Sequence, residues 1–451
     1  MDEENETNKI YGYLQIYKYT DEICVVHSAA FTRTKYDDNA IDGGWIMRRR
    51  IILLTNTCPF GGEIFLQNEL KWAPQDLLVN LYPIFAADKA DQAVQLNSNI
   101  DVRRFDSDWS VKEHLDAGWN SLKMLFKTKE YADALNKPNS LRNLIKALKF
   151  AHISELRFNR ILHQLRADGG KEKEYIFYSY WLYEAAYIAA RLKKAFPSSR
   201  FVSRCHGFDL YEIRHPNGYL PFRNFIMESA DAVFPISEDG REYISQKYNG
   251  KWDGKVCTKR LGTDDLGMNP VNACSIPTLV SCSNMVDVKR IDKIIDALKS
   301  ADKEMRWYHF GDGPLREQLE QKAQELPPHV EYRFMGVVNN EELMRFYQTN
   351  HVDAFINVSS SEGVPVSVME GLSFSIPAIA TDVGGTHEIV FDGINGYLLP
   401  VDFTNEMFCT AISRVIDPQN RDELRKQARM VWENTCNASV NFPTFYRTIA
   451  Q

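Results

Sequence analysis

The chain has 451 residues, 44% of them hydrophobic and 25% charged, enough for two or three soluble domains with substantial cores. Its net charge of -7 argues against general nucleic-acid binding, and its eight cysteines include no C-x-x-C pair, which suits a reducing compartment and argues against a structural zinc site. No apolar run reaches the roughly 18 residues of a membrane span and the N-terminus lacks the form of a signal peptide, so a cytoplasmic location is expected.

Residues 1–46 begin with an acidic run, MDEENETN, and show no clean period; they read as an N-terminal extension of undetermined order. Residues 51–55 (IILLT) read as a buried parallel strand. At its end, Gly61 and Gly62 permit close backbone approach to a ligand, or simply make a tight turn. No G-x-G-x-x-G follows this strand, which argues against a dinucleotide-dependent dehydrogenase. Asp106-Ser107-Asp108 has the D-x-D spacing of a metal site, but Ser110 and Glu113 form a capping-box pattern, and a helix start is the better reading. Residues 140–166 are long, apolar and basic, with Arg142, Lys146, Lys149, Arg157, Arg160 and Arg166 against Glu155. Two readings stay open there: a core-facing helix pair with a solvated face, or a stretch lying on anionic lipid at the inner face of a membrane. Strands are expected at 175–180 and 201–204, with a helix over 181–194. The second of these strands delivers Cys205-His206-Gly207-Phe208-Asp209, and a His at the exit of a parallel strand is where α/β sheets place ligand contacts. Further strands are expected at 231–236 and 256–262.

Residues 265–277 are rich in loop formers and read as a linker. A strand at 278–283 leads through SNMVDVKR to a helix over 291–298. A strand at 306–310 ends in Gly311-Asp312-Gly313-Pro314, and one at 330–335 in Gly336-Val337-Val338, with Asn339 and Asn340 before a further helix. The most informative stretch is 352–400. It offers a strand at 352–358, a polar turn to Gly363, a helix over 364–372 with Pro365 in its first turn, a second apolar run at 377–380 and a Gly-Gly loop. Two such turns side by side make an anion site from free N–H groups and the positive end of a helix. Glu362 precedes the helix and Glu370 lies along it; both have the character of exposed groups. Residues 401–414 and 422–434 read as helices. Strand and helix alternate through both halves, which implies an α/β chain of two doubly wound parallel sheets facing a cleft.

SEGVPVSVMEG, with seven residues between Glu362 and Glu370, and the following TDVGGTHEIVFDGINGYLLP resemble the E-x7-E block of the retaining GT-B glycosyltransferases of family 4. The resemblance is strong over 280–400, weaker over 51–264 and absent from the first 46 residues. It implies an acceptor-side Rossmann-like domain over 47–264, a linker over 265–277, a nucleotide-sugar domain over 278–436 and a tail, 437–451, packed back on the first domain. It implies catalytic roles for Glu362, Lys289 and His206, with Glu362 near the donor sugar and Asp209 on the acceptor side. Donor-binding roles would fall to Gly61, Gly62, Asn284, Arg290, Gly311, Gly336, Val337, Gly363, Val364, Pro365 and Glu370, the last on the ribose hydroxyls. The family carries Arg and then Lys five residues later to grip the pyrophosphate. Lys289 matches the Lys, while Asn284 stands in place of the Arg and puts one phosphate contact in doubt. The implied reaction moves a hexose from a nucleotide-diphosphate sugar to a hydroxyl of a glycan or lipid-linked acceptor, with no metal and no further cofactor, in bacterial exopolysaccharide, capsule or lipopolysaccharide assembly. Two rival readings remain, an idle nucleotide-sugar-binding protein and a glycoside hydrolase with two carboxyl groups flanking a sugar bond.

Overall fold

The computed structural model describes residues 50–60, 63–85, 96–104, 108–169, 174–271 and 276–451. Residues 1–46, Gly61, Gly62, Asp106 and Ser107 lie outside the described residues. The first sheet contains β1 (Arg50–Thr55), β2 (Leu78–Pro83), β3 (Ile100–Val102), β4 (Tyr175–Ser179), β5 (Arg200–Cys205) and β6 (Ala232–Pro235). The second contains β7 (Thr278–Cys282), β8 (Met305–Phe310), β9 (Val330–Gly336), β10 (Ala354–Asn357), β11 (Ala378–Thr381) and β12 (Gly396–Leu399). The strand orders are β3-β2-β1-β4-β5-β6 and β12-β11-β10-β7-β8-β9, parallel throughout. Each sheet therefore reverses direction once, between β1 and β4 and between β7 and β10. Doubly wound sheets bind ligands beyond the strand ends at that switch.

The strands are what a doubly covered sheet demands: Ile51, Ile52, Leu53 and Leu54 are all fully buried, with no alternation. The expected capping box is present. Ser110 Oγ accepts from Glu113 N, and the Glu113 carboxylate accepts from Ser110 N at 2.8 Å, which starts the helix Val111–Lys127. Residues 140–166 form one helix, Ser140–Ala167, whose Ala147, Phe150, Ala151, Phe158 and Ile161 belong to the first lobe's core. Three of its cations are engaged within the lobe: Lys146 donates to the Tyr219 carbonyl, Arg157 to that of Ile84, and Arg160 pairs with Glu113 at 3.0 Å. The segment faces the core as one continuous helix and not as the expected pair.

Residues 256–262 are not a regular strand, but their first part runs beside β6: Val256 bridges Val233, Cys257 N donates to Val233 O at 3.0 Å and Lys259 N to Pro235 O at 2.9 Å, while Thr263 bridges Asn437. The linker is anchored on the second lobe. The Asn269 amide donates to the carbonyls of Tyr347 and Asn350 at 2.6 and 2.7 Å and accepts from Val352 N at 2.9 Å. The last helix, Ala438–Ala450, returns to the first lobe and buries Phe445, Tyr446 and Ile449 in the cluster built on Ile51, Leu53 and Tyr178. Among the described residues, no helix is long and apolar enough to cross a membrane.

Candidate active site

In the second lobe, the segments leaving β7 and β10 meet at the sheet's switch point. The first runs through Ser283 and Asn284 to Lys289; the second through Ser359 to Glu362. Lys289 Nζ lies 2.6 Å from Glu362 Oε1, and the Asn357 amide donates to the same oxygen at 3.3 Å. Both side chains are largely covered, at 25% and 11% exposure. Glycine makes this closeness feasible. Gly384 has φ +52°, and a Cβ there would lie 2.1 Å from the Glu362 carbonyl; Gly385 N donates to Gly363 O at 2.6 Å. The two Gly-rich turns expected to sit together are in contact. The second enters a 3-10 turn, Gly384–Glu388, rather than an α-helix.

Pro365 is the N-cap of the helix Val366–Ser373, with Val364 buried beneath it. Glu370, on that helix, is buried rather than exposed, which corrects the expectation drawn from its polarity. It accepts from the Asn340 amide at 2.8 Å. Burial pushes its carboxyl up to about 7, and the Asn340 hydrogen bond only partly opposes this. Gly311, at φ +132°, packs so tightly that a Cβ would meet the Ser283 carbonyl at 2.0 Å, and its N–H donates to Gly336 O at 2.8 Å. The turns after β7, β8 and β9 thus form one wall, on which Asn284 and Val337 are exposed. Arg290 does not join Lys289. It takes a left-handed backbone, φ +52°, donates to the Val401 carbonyl at 2.6 Å and lies over the Phe403 ring. It holds the β12 end of the lobe, turned away from Lys289.

In the first lobe, His206 leaves β5 inside an aromatic box, its ring centroid 4.5 Å from Trp181, 4.8 Å from Tyr180 and 6.0 Å from Phe65. Both ring nitrogens are buried without a hydrogen-bond partner. Nδ1 is 3.8 Å from Asp209 Oδ2, an ion-pair separation too long for a hydrogen bond. Asp209 is fully buried and accepts from the N–H groups of His206 and Leu182, both at 2.6 Å. Burial alone would raise its carboxyl. The His206 imidazole and the two N–H groups outweigh that and hold it below the usual carboxylate range. Asp209 therefore sets the turn that aims His206 and does not itself face the cleft.

Sequence reasoning missed several residues. Glu63 is buried and gathers the N–H groups of Thr57 and Cys58 at 2.6 Å and the Trp181 indole, so it ties the β1 exit to the His206 box. Arg214 crosses between the lobes to the Ser361 hydroxyl at 2.7 Å. Glu388 also crosses. It accepts from the N–H groups of Glu238 and Asp239 at 3.0 Å, at the start of the helix Glu238–Lys247, and pairs with Arg260 at 2.7 Å. The only sequence signal for Glu388 was its place in the THEIV run, which says nothing of a partner some 150 residues earlier.

Residues 275–431 match the family model described as Glycosyl transferases group 1. Among curated proteins, the chain is 24% identical over 205 residues to a putative colanic acid biosynthesis glycosyltransferase, WcaL, of Escherichia coli K12, covering 43% of this chain and 50% of that one. It is 32% identical over 142 residues to the uncharacterized glycosyltransferase MJ1178 of Methanocaldococcus jannaschii, covering 31% and 38%. The chain thus spans half or less of the length of these two relatives. Among solved structures it is similar to the apo form of the lipopolysaccharide outer core galactosyltransferase WaaB, with TM-score 0.63 and 15% identity over 89% of this chain and 99% of that one. It is similar too to Anabaena Alr3699/HepE in complex with UDP and glucose, with TM-score 0.62 and 17% identity over 89% and 100%. Residues 275–431 therefore carry the sequence pattern of the group 1 glycosyl transferases, and the chain as a whole has the two-lobed GT-B fold.

Proposed function

We propose that this protein is a retaining glycosyltransferase that moves a hexose from a nucleotide-diphosphate sugar to a hydroxyl of a glycan or lipid-linked acceptor in surface-polysaccharide assembly. The observation that carries the reading is the Lys289–Glu362 pair at the switch point of the second sheet, 2.6 Å apart and walled by Gly-rich turns. A diphosphate entering there takes over the Lys289 ammonium and frees Glu362 to accept from a sugar hydroxyl. As the bond from sugar to phosphate breaks, charge grows on the leaving group, and a fixed cation with the N–H groups at the start of Val366–Ser373 stabilises it without a metal. Glu370 is placed to accept from ribose hydroxyls. His206, held in its aromatic box beside Asp209, is the first-lobe group that would contact the donor sugar. Closure of the lobes excludes water and favours transfer over hydrolysis.

A glycoside hydrolase needs two carboxyl groups facing one sugar bond; here Glu362 is paired with Lys289 and Glu370 with the Asn340 amide, so the two have separate partners on separate elements. Exposed Asn284, where the resemblance expects an arginine, favours the second reading, a binding protein without turnover. The test is thermal shift with UDP-, GDP- and ADP-sugars, followed by nucleotide release in the presence of glycan acceptors. Transfer is expected for one donor, is depressed about 10²- to 10³-fold in Lys289→Ala and is lost in Glu362→Ala, without unfolding of either. Binding with no release on any acceptor would move the protein to the second reading.

A further inference from the structure

The helix Val111–Lys127 is buried on one side only, through Ala117, Ser121, Met124 and Leu125. Val111, Leu115, Trp119, Leu122 and Phe126 recur at helical spacing and fall within roughly an 80° arc at about 100° per residue. That arc faces away from the lobe: Val111 is 77% exposed, Leu115 69%, Phe126 64% and Trp119 62%. Tyr131 continues the row past the helix end, its ring 5.5 Å from that of Phe126. Soluble monomers seldom leave so many large apolar side chains side by side in water.

The surroundings of this row are positive. Between residues 111 and 131, Lys112, Lys123, Lys127 and Lys129 are exposed against a single exposed carboxylate, Asp116, in a chain whose net charge is -7. Lys123 Nζ lies 5.1 Å over the Trp119 ring, so a cation sits directly beside the apolar row. Aromatic and aliphatic groups along one arc with lysines at the margin match the boundary between acyl chains and anionic headgroups. A second copy fits less well, because the same lysines would face one another across the interface.

We propose that this face is a docking surface for an anionic phospholipid bilayer, with Leu115, Trp119, Leu122 and Phe126 below the headgroups and Lys123, Lys127 and Lys129 on their phosphates. The surface belongs to Val111–Lys127 and not to the basic segment that follows it, and the inference uses no residue of the cleft.

The test is flotation of the full chain with phosphatidylcholine vesicles with and without phosphatidylglycerol. Binding to the anionic vesicles is expected at low salt and is released at high salt, as the screening length falls from about 10 Å at 0.1 M to about 3 Å at 1 M. The double variant Trp119→Ser with Phe126→Ser is expected to bind at least about tenfold more weakly, with an unchanged melting temperature and unchanged sugar-nucleotide binding. The triple variant Lys123→Gln, Lys127→Gln, Lys129→Gln is expected to lose the preference for anionic vesicles. Undiminished binding by the double variant, no flotation of the wild type at low salt, or a solution dimer whose Leu115→Cys copies cross-link to each other overturns the proposal.

Discussion

Glu370 is a carboxyl group held in an unfavourable place. Its ordinary value near 4.5 rises to about 7 in the fold because burial removes water from the charged form. A carboxyl raised on folding favours the folded state where it is protonated, and that contribution is lost as pH climbs from about 4.5 through 7. Glu370→Gln removes the titration and keeps the shape. In urea unfolding, the stability of the wild type relative to this variant should fall by up to about 3 kcal/mol between pH 4 and pH 8; equal pH dependence in the two would show that Glu370 is not the titrating group. If ribose hydroxyls donate to this carboxylate, bound UDP favours its charged form, and the thermal shift from UDP grows from pH 6 to pH 8 in the wild type more than in the variant. Lys289→Ala should cost about 10²- to 10³-fold in kcat, the scale seen when one fixed donor to a developing negative charge is removed. The family resemblance pointed to both acids and to the lysine. It could not show that Glu370 is buried, because burial is decided by the neighbouring helix that brings Asn340 over it.

At the scale of elements, the turns matter more than the strands they connect. β1, β4 and β7 were legible as apolar runs of the right length, and the helix Ile291–Leu298 was legible to the residue. The expected strand at 256–262 is realised only in its first part, where Cys257 N and Lys259 N donate to the Val233 and Pro235 carbonyls of β6; beyond it the backbone of Thr263 pairs with the chain at Asn437 instead. The turn carrying Glu362 depends on its neighbour: Gly384 is left-handed and lies against the Glu362 carbonyl. Gly384→Ala is expected to destabilise by more than about 1 kcal/mol and to depress transfer further than stability alone would explain, since the displaced atom belongs to the residue paired with Lys289. Urea unfolding and a donor-release assay on the same preparation check the two effects; a variant that transfers normally would show that the turn tolerates a shift. Arg290 follows Lys289 in sequence, yet the left-handed step between them turns it toward Val401.

Across the whole molecule, the polar contacts between the lobes among the described residues include Arg214 to Ser361, Arg260 to Glu388, and Glu388 to the first N–H groups of Glu238–Lys247, and Ile236 of the first lobe adds an apolar contact by joining the cluster of Val364 and Val368. None was legible in advance, because each partner is ordinary in its own segment and the pair exists only when the lobes face each other. Arg260→Ala leaves the nearly buried Glu388 with backbone partners but without its cation. The population should shift toward separated lobes, seen as a larger radius of gyration in solution scattering and a higher KM for the donor. An unchanged radius would assign the closed arrangement to other contacts.

The chain passes between the lobes twice, and the two passages are stitched together. Thr263 N donates to Cys436 O at 2.9 Å, Ala438 N donates to Thr263 O at 3.1 Å, and the Trp432 indole reaches the Thr263 hydroxyl at 2.8 Å. Any movement of one lobe on the other has to carry both of these passages together. No single nick in the chain yields two self-sufficient halves: severing it before Asp265 still leaves Phe445, Tyr446 and Ile449 on the wrong fragment, and the first half would expose the floor they cover.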